Sequence, residues 1–448
     1  MTASSRCRAV LVVGVVAVAV SLGYAVASPD RGQQLLAVSV VGLVGLLAAT
    51  QHPSLGLAVG AAIPLSAQAF SVPMLPYFGL ALLGLVILRT WPNAPREGHQ
   101  AALLVAGFGV LTVGFGLLLA TAVPDRTSLI IAVGYSTVLG VAAALTRIST
   151  AWFAAVIVAL GVWISIAAWR TPELSVDRTI AVLGENANGV GMFAGVGVVS
   201  ALVLLKQRSV LVTLLALGAA VACLTGVYVS GSRGAAVLCF VGVAVLVFGR
   251  LLRGTTVGGA IRAAVVLLAV AAVSYELVEW FGAVTGRAAR GADRNLAARG
   301  ESLSYAVDVG LQQPLFGVGL TRLSEVSRLD LTSGVGLRAH NLYAGVFAEL
   351  GLVGLMPLLL LCALAVVRAR RRSSEALALV AAVLSAGISL EWWGAGGTGP
   401  LALFVLGWAV GQGRPPKPAA APASEQAPVP EHIVPGRPRR YSRNLTQK

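Results

Sequence analysis

The sequence predicts an all-α polytopic membrane protein of about twelve to fourteen transmembrane helices, with one large extracytoplasmic loop that contains short helices. Three observations carry this expectation. Of 448 residues, 57% are hydrophobic and only 11% are charged, with a mean hydropathy of +0.85. The apolar residues fall in runs of roughly 17 to 23, the length that crosses hydrocarbon. The 33 Lys and Arg outnumber the 18 Asp and Glu, but they cluster between those runs. That placement reads as a topology signal and not as a nucleic-acid surface.

Residues 1–27 begin with Arg6 and Arg8, continue apolar and end in Ala25-Val26-Ala27, the pattern of a cleaved signal peptide. The run from Ala9 to Ala27 is longer than a signal core of about 7 to 15 residues, so it is read as a first span with a cytoplasmic start. Further runs lie near 34–50, 54–70, 73–88, 101–123, 128–145, 151–169, 188–205, 210–229, 235–251, 261–278, 345–367, 375–391 and 399–411. The runs 73–88 and 399–411 are short and bounded by Pro, which suits tilted or re-entrant segments. With the start inside, Arg89, Arg96, Arg147, Lys206, Arg208, Arg250, Arg253 and the run Arg368 to Arg372 all face the cytoplasm, as the positive-inside rule requires. The tail, 412–448, returns to the cytoplasm, and its Pro-rich basic composition reads as disordered and suited to anionic lipid. Cys7, Cys223, Cys239 and Cys362 show no metal or disulfide spacing and are read as packing residues. His52, His99, His340 and His432 form no ligand motif.

About 65 residues separate the run ending near Val278 from the one starting near Gly345, and this outer loop, about 279–344, is the expected seat of chemistry. Within it, Glu301 to Gln312 is amphipathic, with Leu303, Val307 and Leu311 at four-residue steps expected to lie against the bundle. Four segments have chemical potential. In "GVGLRAHNLYAGVFAELGLVGL", a helix starting near Asn341 puts Asn341, Gly345 and Glu349 on one stripe, with His340 at its outer end. A carboxylate inside a span is costly and marks either function or a salt bridge to a neighbour. In "YVSGSRGAAV", Ser230 and Ser232 can cap the next helix and leave its positive end beside Arg233. That combination suits phosphate, and a lipid-snorkelling arginine is the plainer alternative. In "ARGESLSYAVDVGLQQPLFGVGL", Arg299 opens the amphipathic stretch and Pro314 to Gly319 close it. In "GENANGVGMFAGVG", Asn186 and Asn188 can cap a span in which Gly191 and Gly195 have the spacing of close helix packing.

Taken together, these segments resemble the O-antigen ligase and polymerase family of membrane glycosyltransferases. The resemblance rests on "NGVG" from Asn188, Gly231-Ser232-Arg233-Gly234, Arg299 through Pro314-Leu315-Phe316-Gly317-Val318-Gly319, and His340-Asn341-Leu342-Tyr343 through Glu349-Leu350-Gly351-Leu352-Val353-Gly354. Order and spacing both match, over about residues 178–392. Two features depart from the family: Tyr305 stands where a Trp often follows the loop Arg, and about fourteen spans exceed the usual dozen or so.

The resemblance implies a GT-C-like bundle that moves a glycan from a polyprenyl diphosphate carrier to an acceptor hydroxyl, on the outer side of a bacterial cytoplasmic membrane, with no metal or cofactor. It implies His340 as base, Arg233, Arg299 and Arg338 on the diphosphate, and Asn188, Asn341, Tyr343 and Glu349 orienting histidine or sugar. The implied partners are the lipid-linked glycan donor, a glycan or lipid acceptor and membrane lipids, with no nucleic acid. This chemistry suits the residues. A neutral imidazole near its ordinary pKa of about 6.5 can accept a proton, arginines can stabilise a departing diphosphate, and no Asp-x-Asp element is present. The expected division is 1–177 as N-terminal spans, 178–411 as catalytic region and 412–448 as tail. A transporter or lipid-linked oligosaccharide flippase is the alternative, but such proteins place polar groups near the midplane on broken helices. Here they gather at the outer face. No residue separates a polymerase from a ligase, which differ only in acceptor.

Overall fold

The structure, a computed structural model, describes residues 52–70, 75–119, 126–170, 187–207, 209–249, 292–320, 322–330, 337–390 and 398–412. Every regular element among them is helical. In chain order they are α1 (Pro53–Phe70), α2 (Leu75–Thr90), α3 (Arg96–Leu119), α4 (Arg126–Leu145), α5 (Thr150–Arg170), α6 (Ala187–Leu204), α7 (Val210–Ser230), α8 (Arg233–Phe248), α9 (Ala292–Gln312), α10 (Leu323–Asp330), α11 (Leu342–Arg372), α12 (Ser374–Ala386) and α13 (Thr398–Gly411). The protein is an all-α polytopic membrane protein, and α5, α6, α7 and α11 are each long and apolar enough to cross a bilayer. Each expected run from 54 onward has its helix except 261–278, which lies outside the described residues together with 9–27, 34–50 and the tail beyond Gln412.

Helix α13 forms the centre. All 14 of its residues are buried, so it is apolar on every side because every side meets a neighbour. Trp408 stacks on Phe153 of α5 with ring centroids 4.1 Å apart and planes 6° apart. On its other side, Gly407 and Gly411 lie directly against Gly140 and Ala144 of α4, where a Cβ would strike backbone. Small residues likewise let α6 approach its neighbours. A Cβ on Gly191 would lie 2.7 Å from Ser232 and Ala235, and one on Gly195 would lie 2.5 Å from Leu238. The expected packing role of this glycine pair holds. Cys223 and Cys362 are buried in the same manner.

One end of the bundle collects cations. Lys206 pairs with Glu375, Arg368 donates to the Val410 carbonyl at 2.8 Å, and Arg372 donates to that of Ile148 at 3.1 Å while lying 5.0 Å over the Trp408 ring. The opposite end gathers the starts of α6, α8 and α11 and the finish of α12.

Helix α11 is broken at Gly351, whose φ of 60° and ψ of −157° are non-helical. Helices α11 and α12 leave the same turn at Ser373 and meet again where Leu342 N–H donates to the Gly387 carbonyl at 2.7 Å. Straight, the 31 residues of α11 would extend about 46 Å, against about 20 Å for the 13 residues of α12. The outer segment Leu342–Leu350 is therefore folded over the inner segment Leu352–Arg372. Glu349 lies next to the bend, two residues before Gly351.

In an unbroken helix the Ala348 and Glu349 carbonyls would accept from the Leu352 and Val353 amides. Here Ala348 and Glu349 instead accept from Val318 N–H at 2.9 Å and Gly319 N–H at 2.8 Å. The Leu352 and Val353 amides donate to the Pro314 and Leu315 carbonyls at 2.8 and 3.1 Å. The loop that follows α9 fills the break.

Two expectations for α9 are corrected. It begins at Ala292, so Arg299 lies inside it and does not open it; Leu296, Ala297 and Ala298, good helix formers just before Arg299, extend the helix upstream. The stripe Leu303, Val307 and Leu311 faces outward, and the buried face is Ser302, Ala306, Val309 and Gly310. Small residues win that face because α9 approaches the outer segment of α11 closely: a Cβ on Gly310 would strike the Phe347 ring.

Gly351→Ala forces a Cβ into the left-handed region and against the Leu315 carbonyl, which costs about 1 to 3 kcal/mol. It is expected to lower the thermal unfolding midpoint of the detergent-solubilised protein. Gly218→Ala, in the interior of α7 with open space around it, is the control expected to keep that midpoint or raise it slightly.

Candidate active site

The non-cationic end of the bundle is built from helix termini, where backbone groups have no intrahelical partner. Helix α7 ends at Gly231, whose φ of 53° is left-handed, and α8 starts two residues later behind Ser232. The Ser232 hydroxyl accepts from Ala235 N–H at 3.3 Å, as expected of a cap, and donates to Asn188 Oδ1 at 3.2 Å. Ser230 supports the turn, accepting from Ser232 N–H at 3.2 Å and donating to the Val227 carbonyl at 2.7 Å. Asn188 thus lies inside the first turn of α6 and ties α6 to the α7–α8 turn; it is not the expected cap. Asn186 lies outside the described residues.

Arg233 occupies the first position of α8 and is half-buried. Among the described residues its guanidinium has no hydrogen-bond or ion-pair partner, and the amides of Arg233 and Gly234 have no acceptor. A cation beside free amides at the positive end of a helix suits an anion.

Gly234 abuts the Ser389 side chain in the turn after α12. The adjacent Ile388 carbonyl accepts from Asn341 Nδ2 at 3.1 Å. This turn therefore touches both the α8 start, with Arg233, and the α11 start, with His340. Asn341 caps α11, its Oδ1 accepting from Tyr343 and Ala344 N–H at 3.0 Å each. The Tyr343 hydroxyl donates to the Leu384 carbonyl at 3.1 Å. Asn341 and Tyr343 therefore anchor the chain at His340 to α12.

His340 itself has a φ of 49°, left-handed and unusual outside glycine. Strain of this kind persists only where the surroundings impose it. On its C-terminal side the restraint is the Asn341 cap. On its N-terminal side, Leu337 N–H donates to the buried Ser327 hydroxyl of α10 at 2.7 Å. Helix α10 is held in turn by the Tyr305 hydroxyl, which donates to Asp330 Oδ2 at 2.7 Å; burial and that carboxylate push Tyr305 up to about 12. Sequence reasoning missed Ser327 and the Ile388–Ser389 turn, neither of which has a motif.

The imidazole retains access to solvent, but partial desolvation and then the charges of Arg299 and Arg338 hold its pKa below the ordinary value. Two of the three expected arginines thus act on His340. α9 runs parallel to the outer segment of α11, with Gly310 at Phe347 and Arg299 towards His340. Glu349 is half-buried, and its backbone carbonyl holds the loop through Gly319. The result is an imidazole whose protonation is disfavoured, close to the Arg299 and Arg338 charges at one end of the bundle.

The family described as O-antigen ligase matches residues 218–359, from within α7 to within α11. No curated protein matches the chain.

Partial desolvation, and then the two nearby cations, disfavour protonation of His340, so its pKa lies below the usual value of about 6.5. Its modification by diethyl pyrocarbonate, which needs neutral imidazole, is expected to titrate with a midpoint below that of a free histidine. In Arg299→Gln the midpoint is expected to move up, because one repelling charge is gone.

Proposed function

Since residues 218–359 are an O-antigen ligase family region in an all-α membrane protein, we propose that the chain transfers a polyprenyl-diphosphate-linked glycan to an acceptor hydroxyl at the outer face of a bacterial cytoplasmic membrane. Glycan transfer of the ligase or polymerase type follows from the family; donor, residues and sidedness are the proposal. The observation that carries it is His340, whose pKa is lowered by partial desolvation and by the charges of Arg299 and Arg338, and whose backbone is held in a left-handed conformation. The cationic end with Lys206, Arg368 and Arg372 faces the cytoplasm by the positive-inside rule, which turns His340 outward.

In the reaction His340 takes the proton of the acceptor hydroxyl as its oxygen bonds to the anomeric carbon. The bond from that carbon to the diphosphate oxygen breaks, and the electron pair leaves with the carrier. Arg299, Arg338 and Arg233, with the amides at the α8 start, meet the charge that grows on the diphosphate, which is where electrostatic stabilisation accelerates transfer. Asn188, Asn341, Tyr343 and Glu349 act on this geometry by position, fixing α8 and the two ends of the outer segment.

Transport would ask for a broken helix whose freed backbone groups meet a solute. At the Gly351 break those groups are taken by the loop Pro314–Gly319, which favours transfer.

Two substitutions test the assignment in proteoliposomes given a prenyl-diphosphate-linked saccharide and an acceptor glycan outside. His340→Asn tolerates the left-handed backbone and removes the base; transfer is expected to fall about 10²- to 10⁴-fold. Arg233→Lys is expected to lose most activity, because an ammonium cannot supply the planar fork. Wild-type rates in either variant would remove that residue from the mechanism.

A further inference from the structure

Helix α9 changes chemistry along its length. Arg299, whose charge acts on His340, is followed about 9 Å further on by Tyr305, whose hydroxyl donates to Asp330 Oδ2 at 2.7 Å. The Tyr305 ring packs against a small buried cluster that contains Ala339, the residue before His340. Asp330 reaches the same place from α10. It shares a helix face with Leu323, a member of that cluster, and with Ser327, whose hydroxyl accepts from Leu337 N–H. Arg328 stands about 200° round the helix from Asp330. Tyr305 and Asp330 thus flank the chain that leads into His340.

The pair lies farther from the cationic end of the bundle than His340 does. His340 precedes α11 at the level of Gly387, where α12, about 20 Å long, finishes. The inner segment of α11, Leu352–Arg372, is longer than α12, so the outer segment runs from that level away from the cationic end to the Gly351 bend. Helix α9 runs beside it in the same direction, with Gly310 at Phe347. Tyr305 is therefore beyond Arg299 and His340.

A tether between α9 and α10 needs only a hydroxyl or an amide at Asp330. A carboxylate at the end of α10 meets the negative pole of the helix, which disfavours it, so helix stability does not account for the charge. The charge suits hydroxyl donors. A carboxylate has about four lone-pair sites, of which Tyr305 takes one, and its bonds from O–H groups are roughly twice as strong as neutral ones. Asp330 is exposed and the Tyr305 ring half-buried, which sets an apolar face beside the acceptor oxygens. A diphosphate is drawn to Arg299 and repelled by Asp330, whereas a neutral saccharide gains from Asp330. We propose that Tyr305 and Asp330 form the subsite of the acceptor saccharide and present its hydroxyl to His340 from the side away from the cationic end, opposite the donor diphosphate at Arg299. This rests on reading His340 as the base of glycan transfer.

The test uses the full-length protein in phosphatidylglycerol and phosphatidylethanolamine vesicles, with oligosaccharides released from the native cell's surface glycan as acceptor and a prenyl-diphosphate-linked saccharide as donor. Asp330→Asn keeps a partner for the Tyr305 hydroxyl and removes the charge. The acceptor KM is expected to rise about tenfold while the donor KM is kept. A rise in donor KM, or a fall confined to kcat, overturns the proposal, because a tether that merely places His340 acts on kcat. A second arm omits the donor. Saturation-transfer NMR is expected to show the oligosaccharides bound to the wild type and bound more weakly to Asp330→Asn and Tyr305→Leu. No binding by the wild type, or equal binding by all three proteins, also overturns the proposal. The two readings fail separately: binding that depends on Asp330 without transfer by the wild type would sink the transfer reading alone, and transfer with an unchanged acceptor KM in Asp330→Asn would sink only the subsite.

Discussion

The backbone exchange at Gly351 is the constraint on which the rest of the structure depends. A helix can be broken at membrane depth only if the amides and carbonyls it releases find partners, since lipid offers none. Here the Ala348 and Glu349 carbonyls and the Leu352 and Val353 amides all turn to one loop, Pro314–Gly319. Gly317 and Gly351, with φ of 64° and 60°, allow the two backbones to touch. Because the loop is the direct continuation of α9, docking it also fixes the direction of α9 along the outer segment. That direction carries Arg299 to His340. A fault in the exchange would therefore reach the chemistry as a misplaced charge.

The polar end of the bundle follows a second economy. Arg233 and His340 stand at the starts of α8 and α11, and the cap of each start also bonds a distant part of the chain. Ser232 caps α8 while bonding Asn188 of α6, and Asn341 caps α11 while bonding Ile388 after α12. A cap contributes about 1 kcal/mol on its own. Here the same atoms also fix where α6, α8, α11 and α12 stand relative to one another. The left-handed His340 is tolerable in this setting because the residues on both sides of it are tied down.

Much of this was legible in the sequence, and the remainder was hidden for identifiable reasons. Span positions followed from apolar run length, and the Ser232 cap followed from a Gly-Ser-Arg-Gly turn whose chemistry is local. Which face of α9 is buried was misread, because period alone favoured the larger Leu303, Val307 and Leu311. Tertiary packing chose Ala306 and Gly310 to admit Phe347. The role of Asn188 was missed because its partner lies 44 residues away, and that of Asn341 was incomplete because Ile388 is 47 residues away. Gly351 was visible as part of a motif, but nothing in its neighbours announces that Pro314–Gly319 completes it.

The segment that matches the O-antigen ligase family, 218–359, is not a structural unit. Its helices bury their faces against α5 and α6 before it and α12 and α13 after it. A chimera exchanging only those residues would import Ser232 without its own Asn188, and Asn341 without its own Ile388. Each graft would arrive holding one half of a bond, so recombination between relatives must cross over outside the hydrogen-bonded frame if it is to yield a working hybrid.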